Sequence, residues 1–134
     1  MPTIQVTIDQ VDHSSSRAVT RTHSLTMDRP KAKGGQDMGP MGGEAMLMGL
    51  GGCFMSNLFA AAVARDIKLT NAHADISGEL ADAPARYTAI HMKVTADCEP
   101  VSELKKIVAI AERGCIVANT LGKAVELTIE AGQR

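Results

Sequence analysis

The sequence predicts an α+β domain in which antiparallel strands surround one long buried helix and a second copy of the chain completes the cover. Three observations lead there. Alternating and helical patterns follow one another as strands, a helix, strands, a helix and a strand, which fits an α+β arrangement better than alternating parallel units. By length the chain is a single domain, 1–134, large enough to bury roughly two thirds of its unfolded surface. Between Glu44 and Arg65 the chain runs without a charge through AMLMGLGGCFMSNLFAAAVA. A helix that is apolar all round is stable only when covered on every side, and one small domain can hardly do that alone. A symmetry mate is the economical cover, so the expectation is an obligate homodimer with its central helices near the two-fold axis.

Residues 3–9 place Ile4, Val6 and Ile8 on one face of a strand, and His13-Ser14-Ser15-Ser16 reads as a turn. Residues 18–27 resume the alternation, with Val19, Arg21, His23, Leu25 and Met27 on one face. From Asp28 to Gly43 the chain holds Pro30, Gly34, Gly35, Gly39, Pro40, Gly42 and Gly43, which predicts a long loop of the kind that carries function in small domains. The central helix is expected over 44–65, with Glu44 at its positive end. Strands are expected over 72–80 and 86–95, joined by the turn Ala81-Asp82-Ala83-Pro84. Val101, Leu104, Ile107, Val108 and Ala111 recur at helical spacing up to Gly114, a new helical turn is possible over 116–120, and Val125, Leu127 and Ile129 mark a last strand.

Fourteen basic against fifteen acidic side chains leave a formal net charge of −1, which gives no long-range field for a nucleic acid or an anionic membrane, and neither is expected as a partner. With no Trp, one Tyr and two Phe, stacking platforms for bases or sugars are poorly supported. The charge-free run meets the length of a membrane span, but Gly49, Gly51, Gly52, Ser56 and Asn57 lie within it and the core-helix reading is preferred. Three cysteines, Cys53, Cys98 and Cys115, form no C-x-x-C pair. The first residues, MPTIQVTIDQ, lack a secretory pattern, so a reducing cytoplasmic setting without structural disulfides is expected.

Gly49-Leu50-Gly51-Gly52 falls inside an apolar helix and lacks G-x-G-x-x-G spacing, so it is read as a place of close approach rather than a nucleotide loop. His13, His23, His73, His91 and the cysteines are scattered, and no metal or cofactor is expected. Cys53 and Cys115 are the candidate reactive groups. A thiol in an apolar helix is ordinarily inert filling whose pKa burial raises. The opposing reading is that Cys115, at a break after Gly114, lies beside backbone N–H groups that favour a thiolate. Arg21 has two readings of equal weight, an activating cation on the apolar face or an Arg with its head in water. Arg17 and Arg29 are read as exposed, although Arg29 lies in the glycine-rich loop and that loop could fold over the site. Cys98, between Asp97 and Glu99, is read as a bystander.

Asp28-x-Pro30, Gly34-Gly35-x-Asp37-x-Gly39-Pro40, Glu44, Leu47, Leu50-Gly51-Gly52-Cys53, Ala111-Glu112-x-x-Cys115 and Thr120-Leu121 together resemble the OsmC/Ohr family of thiol-dependent hydroperoxide reductases. The resemblance covers nearly the whole chain, and it is to the wider OsmC-like group rather than to a typical Ohr. It implies an intertwined homodimer, with a peroxidatic Cys53 and a resolving Cys115 acting on organic hydroperoxides. It also implies re-reduction by a dithiol such as a lipoylated protein. Peroxidase members carry a Glu where this chain has Gly43, and that Glu orients the activating Arg; Glu44 matches the second acidic position and is read first as a cap or dipole partner, and only weakly as catalytic. Two other readings therefore stand beside peroxide reduction. One is a redox-sensing or small-ligand-binding protein with a weakly activated Cys53. The other is an interaction module with purely structural cysteines.

Overall fold

The structure, a computed structural model, describes residues 2–134; Met1, the first residue of the expected domain, lies outside them. Two compact units are present, one ending at Met46 and one spanning Leu47–Arg134.

The first unit is an antiparallel meander of β1 (Thr7–Gln10), β2 (Ser16–Thr20) and β3 (His23–Met27), in the order β1-β2-β3. The single strand expected over 18–27 is a hairpin instead. Thr20 pairs with His23, and Arg21, at φ 54°, opens the two-residue turn between them. This corrects the face assignment. The register sets Ala18 against Leu25 and Val19 against Ser24, so even positions of β2 share a face with odd positions of β3. Arg21 is exposed in the turn and not carried on an apolar strand face, because a tight turn breaks the alternation that the sequence continues through.

The glycine-rich loop is organised by Asp28, which is buried at 4% exposure. Its carboxylate accepts the backbone N–H groups of Arg29 at 2.7 Å, Gln36 at 3.1 Å and Met38 at 3.3 Å. Burial alone would raise its pKa, but these N–H groups and the Ser14 hydroxyl outweigh that and hold it below the ordinary carboxylate value. Folding the loop this tightly needs two glycines. A Cβ on Gly35 would fall on the Arg29 carbonyl, and one on Gly39 on the Thr26 carbonyl. Nearby, Asp12 accepts from Ser14 and Ser15 and is bonded by the Gln36 amide, which ties the β1–β2 turn to the loop.

Helix α1 (Gly42–Ala64) follows and continues into the second unit. It begins two residues before the expected start because Glu44 works from inside the first turn: its Oε1 accepts the Met41 N–H at 2.9 Å, as the acidic partner in a capping box does. The second unit adds β4 (Lys68–Ala81), β5 (Arg86–Glu99), α2 (Leu104–Gly114), α3 (Ile116–Leu121) and β6 (Glu126–Gln133). The sheet order is β4-β5-β6, with β4 antiparallel and β6 parallel to β5. An all-antiparallel arrangement is thus corrected. The α2–α3 crossover carries the chain back to the start of β5, so the last strand runs the same way. Both hairpin strands exceed expectation, because the alternation Ile90, Met92, Val94, Ala96, Cys98 on the buried face extends past the polar Asp97 and Glu99.

The buried residues of α2, which lies against β6, are Leu104, Ile107, Val108 and Ala111, and those of α1 form a stripe of Leu50, Gly51, Phe54, Leu58, Ala61 and Ala62. Gly51 lets α1 approach closely; a Cβ there would lie 2.6 Å from Ile76 Cδ1. The opposite side of α1 is as apolar but uncovered in the single chain, with Met48 59%, Phe59 49% and Val63 81% exposed. Burial on every side is therefore not met within one chain. By length and composition alone α1 is able to cross a membrane; its Leu50, Phe54 and Leu58 are fully buried inside the fold, as in a core helix.

The Asp28 hub makes stability depend on acid in a definite direction. A carboxyl whose folded pKa is lowered stabilises fully above its unfolded value of about 3.9 and loses that contribution as pH falls through the folded value. Urea unfolding midpoints of wild type and Asp28→Asn, measured from pH 2 to 7, are expected to differ most at neutral pH and to converge below about pH 4. A gap independent of pH contradicts the role given to Asp28.

Candidate active site

Cys53 lies on α1, half-buried, at the border between the buried stripe and the exposed face. It meets the junction of α2 and α3. Helix α2 ends at Gly114, Cys115 takes extended backbone angles of φ −82° and ψ 113°, and α3 begins at Ile116. The first N–H groups of a helix have no intrahelical partner. One is taken by Cys115 itself, whose Sγ accepts the Ala118 N–H at 3.4 Å as the N-cap of α3. Those of Val117 and Ile116 turn to the Cys53 sulphur.

The two thiols are thereby driven apart in acidity. Burial pushes the Cys53 thiol up, but the Val117 N–H, the Cys115 thiol and the Ile116 N–H together outweigh it, and its pKa is lowered. Cys115 is completely buried, and burial raises its pKa; the Cys53 sulphur beside it adds to the rise against the N–H groups of Ala118 and Val117. Of the two, Cys53 has the lowered pKa and Cys115 the raised one, and the Cys115 thiol donates towards the Cys53 sulphur. Both are free thiols here. Such a pair offers a nucleophilic sulphur and, within hydrogen-bond reach, a second thiol able to close a disulfide.

Asn57 stands one turn after Cys53 on α1. Its Nδ2 donates to the Cys53 carbonyl at 2.9 Å and lies 3.9 Å from Cys53 Sγ. The sequence expects the backbone N–H groups after the break to favour a thiolate at Cys115; those of Ile116 and Val117 serve Cys53 instead and the Cys115 pKa is raised, while the side chain of Asn57 is not singled out from sequence. The only cue is an asparagine four places after Cys53 in a charge-free run.

The remaining candidates are placed differently. Glu44 caps the first turn of the helix that bears Cys53. Arg21 belongs to the β2–β3 turn of the first unit. Cys98 is buried in β5, donates to the Pro100 carbonyl at 3.4 Å, and is pushed up in pKa by burial and by the Glu103 carboxylate. Among the described residues no group of three or more His, Cys, Asp or Glu is placed to hold a metal ion.

The OsmC-like protein family matches residues 34–130, a stretch that includes both Cys53 and Cys115. No curated protein matches the chain. Among solved structures the fold is similar to that of an OsmC-like protein from Mycoplasma pneumoniae, with a TM-score of 0.84 at 21% identity over 99% of this chain and 96% of that one. It is also similar to an organic hydroperoxide resistance protein from Elizabethkingia anophelis, at 0.69 and 15% over 100% and 98% of the two chains. An organic hydroperoxide resistance protein OsmC from Legionella pneumophila gives 0.68 and 16% over 98% of each. A family match across most of the chain and the same fold at nearly full coverage agree: this chain belongs to the OsmC-like protein family.

Proposed function

We propose that this protein reduces organic hydroperoxides through Cys53 and Cys115. The observation that carries the reading is the meeting of the Cys53 sulphur, lowered in pKa, with the buried Cys115 thiol at the start of α3. The Cys53 thiolate attacks the terminal peroxide oxygen, the O–O bond breaks, and the alkoxide takes a proton to leave as the alcohol; Cys53 becomes a sulfenic acid. Cys115 then attacks that sulphur, an S–S bond forms, and the hydroxyl leaves as water. A dithiol such as a lipoylated protein returns two electrons and two protons to restore the thiols. The apolar residues of α1 around Cys53 favour an alkyl or aryl hydroperoxide over hydrogen peroxide.

The working unit in this reading is a homodimer of single-domain chains in the cytoplasm. Its support is physical. The uncovered side of α1, with Met48, Phe59 and Val63, and the exposed Ile4, Val6 and Ile8 of the first unit are apolar surfaces that a second copy would bury. Such a dimer would make α1 the central helix of the assembly. Arg21 is carried into the reading as the candidate activating cation on the family resemblance alone, since its exposed turn removes the apolar-face ground, and Glu44 as a helix cap with a lesser catalytic claim. The rival reading, a redox-sensing or ligand-binding protein, draws on Gly43 standing where peroxidase members carry Glu.

Treatment with one equivalent of cumene hydroperoxide is expected to give a Cys53–Cys115 disulfide by peptide mass mapping. Cys115→Ser is expected to stop at a Cys53 sulfenic acid that dimedone traps, and Cys53→Ser to consume no peroxide. A disulfide that involves Cys98 instead, or no oxidation at Cys53, removes the proposed pair. Sedimentation of the native protein is expected to give twice the chain mass of 14.1 kDa; a monomer at micromolar concentration overturns the dimer.

A further inference from the structure

Asn57 touches both halves of the cysteine site. Its Nδ2 faces the Cys53 carbonyl, which can only accept, so the carboxamide orientation is fixed and Oδ1 points the other way. There it meets the last residue of α2. A Cβ built on Gly114 would lie 2.9 Å from Asn57 Oδ1, so a side chain there would push the carboxamide off the place its bond to the Cys53 carbonyl gives it. One side chain therefore holds the Cys53 turn of α1 on one edge and abuts the α2–α3 junction that bears Cys115 on the other.

We propose that Asn57 is the positioning residue of the thiol pair: its carboxamide, bonded to the Cys53 carbonyl and seated against Gly114, sets the separation at which the Cys53 and Cys115 sulphurs join, and Gly114 is the complementary surface that this seat requires. The inference rests on the cysteine pair of the proposed function but not on the peroxide. Disulfide closure needs a narrow range of backbone separation and sulphur approach, and a displacement of about 1 Å between reacting groups can cost on the order of a hundredfold in rate. The same seat keeps the Cys53 sulphur beside the N–H groups of Ile116 and Val117. Loss of the carboxamide, or its displacement by a methyl group on Gly114, lets the two segments drift while both cysteines remain.

The test uses diamide, an azo oxidant that takes two electrons and two protons from a dithiol and so closes the disulfide without a peroxide step. Wild type, Asn57→Ala, Gly114→Ala and the double variant are compared for the rate of Cys53–Cys115 closure and for the pH midpoint of Cys53 alkylation by iodoacetamide. Both single variants are expected to close at least about tenfold more slowly and to raise the alkylation midpoint above that of wild type. The double variant is expected to be no slower than Asn57→Ala, because the methyl then enters space already vacated. Should Asn57→Ala fail to fold, Gly114→Ala reads the same contact with the carboxamide retained. Variants that fold with a lowered melting temperature yet close at the wild-type rate with an unchanged midpoint overturn the proposal, as do single effects that simply add. A wild type that closes with diamide but consumes no cumene hydroperoxide removes the peroxidase reading and leaves Asn57 to be decided by these rates.

Discussion

A buried sulphur is a poor nucleophile unless something other than water stabilises its charge, and in this chain that role falls to unpartnered backbone N–H groups at the start of α3. The break at Cys115 creates them. Had α2 continued through residue 115, the amides of Ile116 and Val117 would have been spent on carbonyls one turn back, and two of the three groups that lower the Cys53 pKa against burial would be lost. The three cysteines show the contrast within one fold. All are desolvated; N–H groups and the Cys115 thiol outweigh that at Cys53 alone, whereas at Cys115 burial and the neighbouring Cys53 outweigh its N–H groups.

The surrounding structure serves that meeting. The α1 stripe of Leu50, Phe54 and Leu58 locks the helix on the sheet and leaves Cys53 at its margin, half-buried and reachable. Ile107, Val108 and Ala111 hold α2 on the same core, so the α2–α3 junction is anchored immediately before the turn that presents Cys115. In the first unit, the residues of the family signature act on the backbone. Asp28 gathers three amide donors, while Gly35 and Gly39 leave room for carbonyls that a side chain would strike. The signature is thus partly a record of loop packing and only partly of chemistry.

Much of this was legible in the sequence, for identifiable reasons. The α2 face over Leu104, Ile107, Val108 and Ala111 and the helical turn after Cys115 follow local periodicity and breaks that sequence displays directly. The β2–β3 hairpin was missed because polar Arg21 and Thr22 continue the alternation through a two-residue turn without a Gly or Asn to mark it. The parallel setting of β6 was missed because strand direction depends on where a crossover returns the chain, which no pattern inside the strand records. In the site, Cys53 and Cys115 were visible as thiols in distinctive surroundings. Asn57 was not, and the N–H groups after the break were legible as thiolate partners but not as partners of Cys53 rather than Cys115, since which sulphur they meet comes from tertiary placement.

The central claim is that Cys53, held at the start of α3, is a working peroxidatic thiol. Its most direct test is steady-state consumption of cumene hydroperoxide with dihydrolipoamide as reductant, comparing wild type with Cys53→Ser. Turnover by the native protein that disappears in the variant is the predicted result; equal peroxide consumption by the two, or none by either, contradicts it.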